Sequence, residues 1–249
     1  MAIFNTVPPL KAGSGIQFDG ERISTAAAPR NWLDNSDFTN LVAQAEIGDK
    51  HGSVAYAADR WKLTSGTVTY TAGTGLTLNG TITQVLEKAP TGGSCFVGMA
   101  SGTATIALNG NTITITSSGG VIKWAALYAE KYTEATKPEY QPKGYGAELL
   151  ECQRYFLPDC VRYANGVAYG GRNHANILIH TPVKMRGGQI NVKSKDWLVA
   201  KSTLYETSSI VGIAAIDNGV IAQVNVTSTF AENTQCCIAN VVADIIADL

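Results

Sequence analysis

Three acidic side chains near the first apolar segment are the first candidates for chemistry. Asp34 and Asp37 lie in NWLDNSDF (31–38), and Asp59 lies in ADRW (58–61). Carboxylates can act as general acid and base, or bind calcium together with carbonyl oxygens. The spacing is not that of a DxDxDG calcium loop, and Asp or Asn beside a strand usually satisfies backbone groups in a turn. Turn residues are therefore favoured over a calcium site near Asp34 or Asp37, and catalysis is the weakest alternative.

The histidines and cysteines lack the spacing of a metal or catalytic site. His51, His174 and His180 are the three histidines, and no carboxylate or cysteine with a recognised ligand spacing lies near them. The five cysteines include no CxxC pair, which argues against a zinc site and a disulfide framework. The sequence contains no GxSxG, P-loop, HExxH or GxGxxG motif. It predicts a non-enzymatic protein with no catalytic residue, metal or cofactor, although a site assembled from distant residues stays open.

A cluster of aromatic and polar residues is the better candidate for ligand binding. It lies in RYANGVAYGGRNHAN (162–176), which is typical of a glycine-rich loop or a corner where a loop enters a strand. Sugar sites use aromatic faces against the apolar side of the ring and amide or guanidinium groups for the hydroxyls. An ordinary surface loop whose tyrosines cover the core is the alternative. The candidate ligand-binding residues are Tyr163, Tyr169, Arg172, Asn173, His174 and Asn176.

β-Strands are the elements that must position these residues. The 25 glycines, the low charged fraction of 16% and the frequent Thr, Ser, Val and Ile suit short strands joined by tight turns. TATIALNGNTITIT (103–116) is the clearest hairpin, with alternating apolar residues on both sides of Asn109-Gly110. We expect an antiparallel β-sandwich of the jelly-roll kind over residues 31–132, with Trp32, Trp61 and Trp124 as core anchors.

The second half of the chain predicts a linker, a short helix and a second β-domain. The segment 133–158 contains prolines and then AELLECQRYF, in which Leu149, Cys152 and Phe156 form one apolar stripe of a helix that Pro158 would end. Residues 159–249 return to β, with strands at NILIH, IVGIAAI and VIAQVNV and a hairpin connection at Asp217-Asn218-Gly219. We expect a second antiparallel β-sandwich there. The predicted fold class is all-β.

Residues 1–30 form an arm that cannot fold alone. They are rich in Gly, Ser, Ala and Pro and contain few apolar residues, too few to offset the entropy of ordering. The arm is either a flexible tail or an extended segment that orders against another chain. Its candidate attachment residues are Ile3, Phe4, Ile16 and Phe18.

Charge and hydropathy exclude several classes of partner. The net charge of -1 gives no electrostatic reason to expect nucleic acid or an anionic membrane. MAIFNTVPPL has neither the basic nor the apolar region of a secretory signal, and no run approaches the ~18 apolar residues that span a bilayer. We expect neither nucleic-acid binding nor membrane insertion.

Five segments in order resemble a module of bacteriophage and prophage tail-fibre proteins. A sixth, HTPVKMR (180–186), looks like a motif of the family's second domain. In that family a segment similar to NWLDNSDF opens a jelly-roll domain like those of carbohydrate-binding modules, and a CQRYF helix leads to a second β-domain. The chain departs from the family at Tyr128-Ala129-Glu130, and its last sixty residues match only in β-character and the terminal ADL. The five segments are NWLDNSDF (31–38), ADRW (58–61), ITQVLE (82–87), VIKWAALYAEKYTEAT (121–136) and ELLECQRYF (148–156).

The resemblance implies a virion component, a homotrimeric tail fibre or receptor-binding protein assembled in the cytoplasm of the bacterial host. The arm would bind other virion or tail proteins, and the C-terminal domain would face a bacterial surface glycan or receptor. The family has no common catalytic residues. A head fibre or capsid decoration protein is one alternative. A glycan depolymerase is another, although such chains are usually longer β-helices with a repeat that this sequence lacks.

Overall fold

The computed structural model describes residues 16–19, 22–25, 29–48, 50–51, 54–158, 163–168, 173–185, 190–194, 197–201, 204–216, 219–226, 235–239 and 243–247. Within these residues the chain has strands, joined in antiparallel ladders, and one helix. The all-β prediction is confirmed at this level. The strands of the first half are β1 (Ile16–Asp19), β2 (Arg22–Thr25), β3 (Lys50–His51), β4 (Val54–Ala58), β5 (Trp61–Thr71), β6 (Gly75–Val85), β7 (Ser94–Ser101), β8 (Ala104–Asn109) and β9 (Thr112–Tyr128).

The predicted extended arm contains a pair of strands. β1 and β2 form an antiparallel ladder in which Ile16 lies opposite Thr25 and Phe18 opposite Ile23. Residues 16–19 and 22–25 are therefore paired strands rather than separate extended chain. Ile3 and Phe4, the other candidate attachment residues, lie outside the described residues.

β9 organises the sheet of seven strands that forms the first domain. It is 17 residues long and pairs along one edge with β6. β7 and β8 pair with successive stretches of the other edge of β9. The predicted hairpin at Asn109-Gly110 is confirmed, because it joins β8 to β9. Gly102 lies between β7 and β8, and a Cβ atom there would lie 2.7 Å from the Cα of Gly120. Only glycine permits this approach, which lies beside irregular pairing between β7 and β9.

The segment from Asn31 to Asp37 extends the second half of β9 without forming a regular strand. Trp32 donates its backbone N–H to Leu127 O at 2.9 Å, and Ala125 donates to Ser36 O at 3.0 Å. Asp37 forms an isolated bridge with Trp124. The segment therefore supplies backbone hydrogen-bond partners to the part of β9 that β6 does not reach. Together with the residues that follow, it covers the apolar face of the sheet.

The core of the first domain lies between the sheet and residues 31–42, which we call the covering segment. Phe38 is fully buried and packs against Trp61, with ring centroids 5.4 Å apart. Trp61 is a core anchor as predicted, whereas Trp32 and Trp124 are only partly buried. The largest fully buried side chains of this domain are Trp61, Phe38, Leu33, Leu76, Leu78, Ile82, Ile113, Ile115, Ile122 and Leu127.

Substitution of Gly66 tests how closely β5 packs on β6. It has a φ of +84°, and a Cβ atom there would lie 1.9 Å from Asn79 O. Gly73 has a φ of +76° with nothing within 4 Å, so it is a matched control. Gly66→Ala should lower the free energy of unfolding by about 3 kcal/mol, and Gly73→Ala by about 1 kcal/mol, the cost of the left-handed backbone alone. Urea denaturation measures both, and equal losses would contradict the steric argument.

The linker packs on the first domain instead of crossing open solvent. The ring of Tyr140 stacks on Trp124, with centroids 4.9 Å apart and planes 6° from parallel. Its hydroxyl lies 3.3 Å from Ser36 Oγ. Lys137 Nζ lies 5.6 Å from the centroid of Trp124. These contacts fix the direction in which the chain enters the helix that follows.

The helix, α1 (Tyr145–Gln153), differs in detail from the predicted one. It ends before Pro158, and Phe156 lies in the next strand instead of on the helix. Its buried side chains are Glu148 and Cys152, not an apolar stripe through Leu149. The prediction of an apolar stripe was wrong because the buried face of α1 contacts hydrogen-bonding groups of the first domain. A buried carboxylate on that face gives no hydrophobic pattern in the sequence.

The C-terminal region is a barrel with a small sheet, and not the predicted sandwich. Its strands are β10 (Phe156–Leu157), β11 (Tyr163–Ala168), β12 (His174–His180), β13 (Ile190–Ser194), β14 (Trp197–Lys201), β15 (Leu204–Ile216), β16 (Gly219–Val226), β17 (Gln235–Ala239) and β18 (Ala243–Ala247). The barrel closes in the order β11-β12-β16-β15-β14-β17, and β10, β18 and β13 form a separate sheet. β17 pairs with both β11 and β14, which removes the open edges that a sandwich would keep.

Alternating burial in two neighbouring strands shows the interior of the barrel. In β12, Ala175, Ile177 and Ile179 are buried. In the adjacent β16, Val220 and Val224 are buried. The predicted hairpin between β15 and β16 is confirmed, with Ile216 opposite Gly219.

Candidate functional site

Segments far apart in the sequence meet at one end of the first domain, beside α1. We call this cluster the polar joint. It combines NWLDNSDF, ADRW, the end of β6 and the CQRYF helix, which are four of the five segments that carry the family resemblance. Its polar members are Asn31, Asp34, Asn35, Gln44, Asp59, Arg60, Gln84 and Glu148.

Asn31 ties the covering segment to β9. Its side-chain amide donates to Ser36 Oγ at 2.9 Å and to Ala125 O at 3.1 Å. Its Oδ1 accepts the backbone N–H groups of Leu33 at 3.1 Å and Leu127 at 3.0 Å. One buried amide therefore satisfies backbone groups on both sides of the ladder.

Asn35 is the central residue of the polar joint. It is 1% exposed and has a positive φ of 49°, which Asn tolerates better than most residues. Its side-chain amide donates to Val42 O and Asp59 O, both at 2.8 Å, and its Oδ1 accepts Val42 N–H at 2.8 Å. Its backbone carbonyl accepts Trp61 Nε1–H at 2.8 Å, and its backbone N–H donates to Glu148 Oε2 at 2.6 Å.

Asp34 joins the same network through its backbone and its carboxylate. Its backbone N–H and C=O both bond the side chain of Gln84, at 2.9 and 2.8 Å. Its carboxylate pairs with Arg60 Nε at 3.2 Å and with Lys143 Nζ at 3.3 Å. Arg60 also donates to Val85 O at 2.9 Å. The Asp34 carboxylate is therefore engaged by two cations of this chain.

Asp37 is the turn residue that the sequence predicts. Its Oδ1 accepts the backbone N–H of Thr39 at 3.0 Å and the Thr39 hydroxyl at 2.6 Å. Asp34 and Asp37 thus have separate local partners. Among the described residues, no group of three His, Cys, Asp or Glu side chains is arranged to hold a metal ion.

Glu148 brings a buried carboxylate from α1 into the polar joint. It is 3% exposed, and its Oε1 has no hydrogen-bond partner among the described residues. Burial raises the pKa of this carboxyl, while the Lys143 ammonium acts in the opposite direction.

Glu148→Gln should therefore be tolerated far better than Glu148→Ala. The glutamine keeps an oxygen for Asn35 N–H and buries no charge, so we expect stability at pH 7 to change by less than about 1 kcal/mol. Alanine leaves the Asn35 N–H buried without an acceptor and should cost about 2 kcal/mol. Glu151→Gln on the same helix is the control, and thermal unfolding is the measurement. A greater loss for glutamine than for alanine would contradict this role.

Asp59 is the second buried acid of the polar joint. It is 4% exposed, and its carboxylate accepts Gln44 N–H at 3.2 Å and Gln44 Nε2–H at 2.7 Å. Burial raises its pKa to about 6, although the bonds from Gln44 act to lower it. The same Gln44 amide donates to Phe156 O at 2.9 Å, which connects Asp59 to β10.

Asp59 should make the first domain more stable in mild acid. An unfolded Asp has a pKa of about 3.9, so between about pH 4 and pH 6 the folded chain holds a proton that the unfolded chain has lost. The contribution is complete at low pH and is lost as pH rises through 6. A shift of about two units corresponds to about 3 kcal/mol. Urea unfolding of the wild type from pH 7 to pH 5 should show about 1 kcal/mol of this gain, because about one of the two pKa units is realised in that interval, and Asp59→Asn should lack it. Parallel pH profiles for the two proteins would contradict the assignment.

A cleft of about 140 Å³ opens beside the polar joint. Two aromatic rings line it, and each has a guanidinium over its face: Arg30 Cζ lies 4.8 Å from the Trp32 centroid, and Arg60 Cζ lies 3.4 Å from the Tyr155 centroid. The sequence suggested Trp32 as a core residue and Tyr155 only as part of a motif, so this site was missed. The lining residues are Arg30, Trp32, Asp34, Arg60, Leu86, Glu87, Lys88, Glu151, Arg154 and Tyr155.

The described members of the predicted ligand-binding cluster lie on two adjacent strands of the barrel and just before the second of them. Tyr163 begins β11, and Asn173 is exposed just before β12. His174 is partly buried opposite Asn225, and its Nδ1 contacts Asn225 Oδ1. Asn176 lies opposite Gln223, also in β16. Tyr169 and Arg172 lie outside the described residues.

No family model, curated protein or solved structure matches this chain. No helix in the part of the chain that the structure describes is long and apolar enough to cross a bilayer.

Proposed function

We propose that this chain is a non-enzymatic structural and adhesive protein of a bacteriophage tail or related particle. In this role it is a fibre or receptor-binding protein that attaches the particle to a bacterial surface glycan. The N-terminal arm binds other virion or tail proteins, and three copies associate.

The polar joint is the observation that supports this proposal. Four of the segments that resemble the tail-fibre module are separated in sequence, yet they meet in one network of hydrogen bonds and ion pairs. Glu148 of α1 bonds Asn35, and Gln44 bonds Phe156 at the start of the second β-region. A polar network that holds α1 and the start of the second β-region against the first domain suits a fibre, which must transmit load from particle to cell.

The acids that could have formed a catalytic pair have structural partners instead. Asp34 pairs with Arg60, Asp37 caps the turn at Thr39, and Asp59 accepts from Gln44. A glycosidase needs one carboxyl to act as an acid and another as a base or nucleophile. The bonding of these three residues favours attachment over hydrolysis.

For the first domain we propose a relationship to the jelly-roll of carbohydrate-binding modules. β7 pairs irregularly with β9 shortly before the chain passes into β8, and residues of NWLDNSDF bury apolar side chains against the sheet. Residues 1–30 act as the particle-binding arm, with the β1–β2 pair as a compact part of it.

Electron microscopy of particles carrying a gold label at the C-terminus tests the proposal. Label at the free end of the tail or fibre is the expected result. Label on the capsid would favour a head fibre or decoration protein and would contradict the tail assignment. Mass measurement on the purified chain by light scattering should give a trimer, and a monomer would count against the fibre.

A further inference from the structure

The charges around the cleft do not cancel. Four cationic and three acidic side chains line it. All three acids have partners within the described residues: Asp34 binds Arg60, and Glu87 and Glu151 bind Arg154, at 3.2, 2.8 and 3.5 Å. Tyr155 also donates its hydroxyl to Glu87 at 2.8 Å.

Arg30 and Lys88 supply the excess positive charge. Both are exposed, and neither takes part in an ion pair between described residues. The Arg30 guanidinium lies over the face of Trp32, where cation–π attraction holds it. A guanidinium presents its N–H donors as a rigid planar fork. Such a fork matches the two oxygens of a carboxylate or phosphate.

The floor of the cleft is held rigid by its own contacts. Arg60 Cζ lies over the Tyr155 ring, 3.4 Å from its centroid, and Arg154 Cζ lies 5.8 Å from the centroid of the same ring. Both guanidiniums are also fixed by acids, so the Tyr155 end of the cleft is preorganised. The volume of about 140 Å³ is close to the ~150 Å³ of a cavity that accepts a benzene ring. One six-membered ring therefore fits.

We infer that this cleft binds one anionic sugar unit, with its carboxylate or phosphate on Arg30 and Lys88 and its ring hydroxyls on the bound acids and guanidiniums. This inference deepens the proposed function, on which it rests for the choice of a saccharide. It places a binding site beside the polar joint, between residues of the first domain and residues of α1 and the turn that follows it.

Calorimetric titration of the full-length chain tests the site with defined probes. Trigalacturonic acid supplies a carboxylate, galactose 6-phosphate supplies a phosphate, and the methyl ester of trigalacturonic acid is the neutral match of the first. We expect at least one anionic probe to bind at least tenfold more tightly than the neutral ester. Whichever anion is preferred identifies the charged group. Equal binding of charged and neutral probes, or no binding of any, would overturn the inference.

Two exposed substitutions locate the binding without disturbing the core. Arg30→Gln combined with Lys88→Gln should weaken binding of the anionic probe at least tenfold. Lys123→Gln, an exposed lysine on β9 outside the cleft, should leave it unchanged. Circular dichroism checks that all variants fold. If Lys123→Gln weakens binding of the anionic probe as much as the double variant does, or if the double variant binds it as tightly as the wild type, the cleft is not the site.

Attachment of the same proteins to bacterial cells separates this inference from the proposed function. If the wild type and the double variant adhere equally, the protein is an adhesin and the cleft is not its glycan site. If the wild type binds the anionic probe but no bacterial surface, the site stands and the attachment role fails.

Discussion

Trp61→Ala is expected to lower the free energy of unfolding of the first domain by about 5 kcal/mol. Trp61 is fully buried, packs against Phe38 and donates its indole N–H to Asn35 O at 2.8 Å. Removing a buried aromatic side chain costs about 3–5 kcal/mol because a cavity remains. The orphaned carbonyl of Asn35 adds about 1 kcal/mol.

Trp61→Phe separates the two contributions. Phenylalanine keeps most of the ring volume but cannot donate to Asn35 O, so it should cost about 2 kcal/mol. Urea denaturation followed by circular dichroism measures both variants. A loss below about 2 kcal/mol for Trp61→Ala would show that this indole is not the anchor that joins the core to the polar joint.

Asn35→Ala should cost nearly as much, about 4 kcal/mol, although it removes few atoms. The substitution leaves Val42 O, Val42 N–H and Asp59 O without the side-chain partner that each now has. Each buried polar group that loses its partner costs about 1–3 kcal/mol. Alanine also tolerates the φ of 49° less well than asparagine.

Asn35→Gly and Asn79→Ala serve as controls for this prediction. Glycine loses the same hydrogen bonds but relieves the backbone, so it should be about 1 kcal/mol more stable than alanine. Asn79 is exposed on β6, and its replacement should change stability by less than about 0.5 kcal/mol. Similar stabilities for Asn35→Ala and Asn79→Ala would show that Asn35 does not hold the joint.

The sequence predicts the local features of this fold well. The hairpin at Asn109-Gly110 and the connection before Gly219 follow from turn chemistry between alternating apolar residues, and both are present. The turn at Asp37 follows from the ability of Asp to accept nearby backbone N–H groups. Each of these features depends on residues that are close together in the chain.

Features that depend on distant residues could not be predicted in the same way. Closure of the barrel requires β17 to pair with both β11 and β14, and nothing in the sequence of β17 identifies those partners. The buried face of α1 contains Glu148, which an apolar pattern excludes. The cleft combines Trp32 with Tyr155, residues that belong to different segments and that only the tertiary fold brings together.

The measurement that tests the central proposal most directly is gel filtration of the full-length chain mixed with purified bacterial capsular and cell-wall polysaccharides. We predict that at least one polysaccharide elutes together with the protein and keeps its original length, as the proposed non-enzymatic attachment to glycan requires. A shortened polysaccharide would identify a depolymerase. Separate elution of the protein from every polysaccharide would contradict glycan attachment.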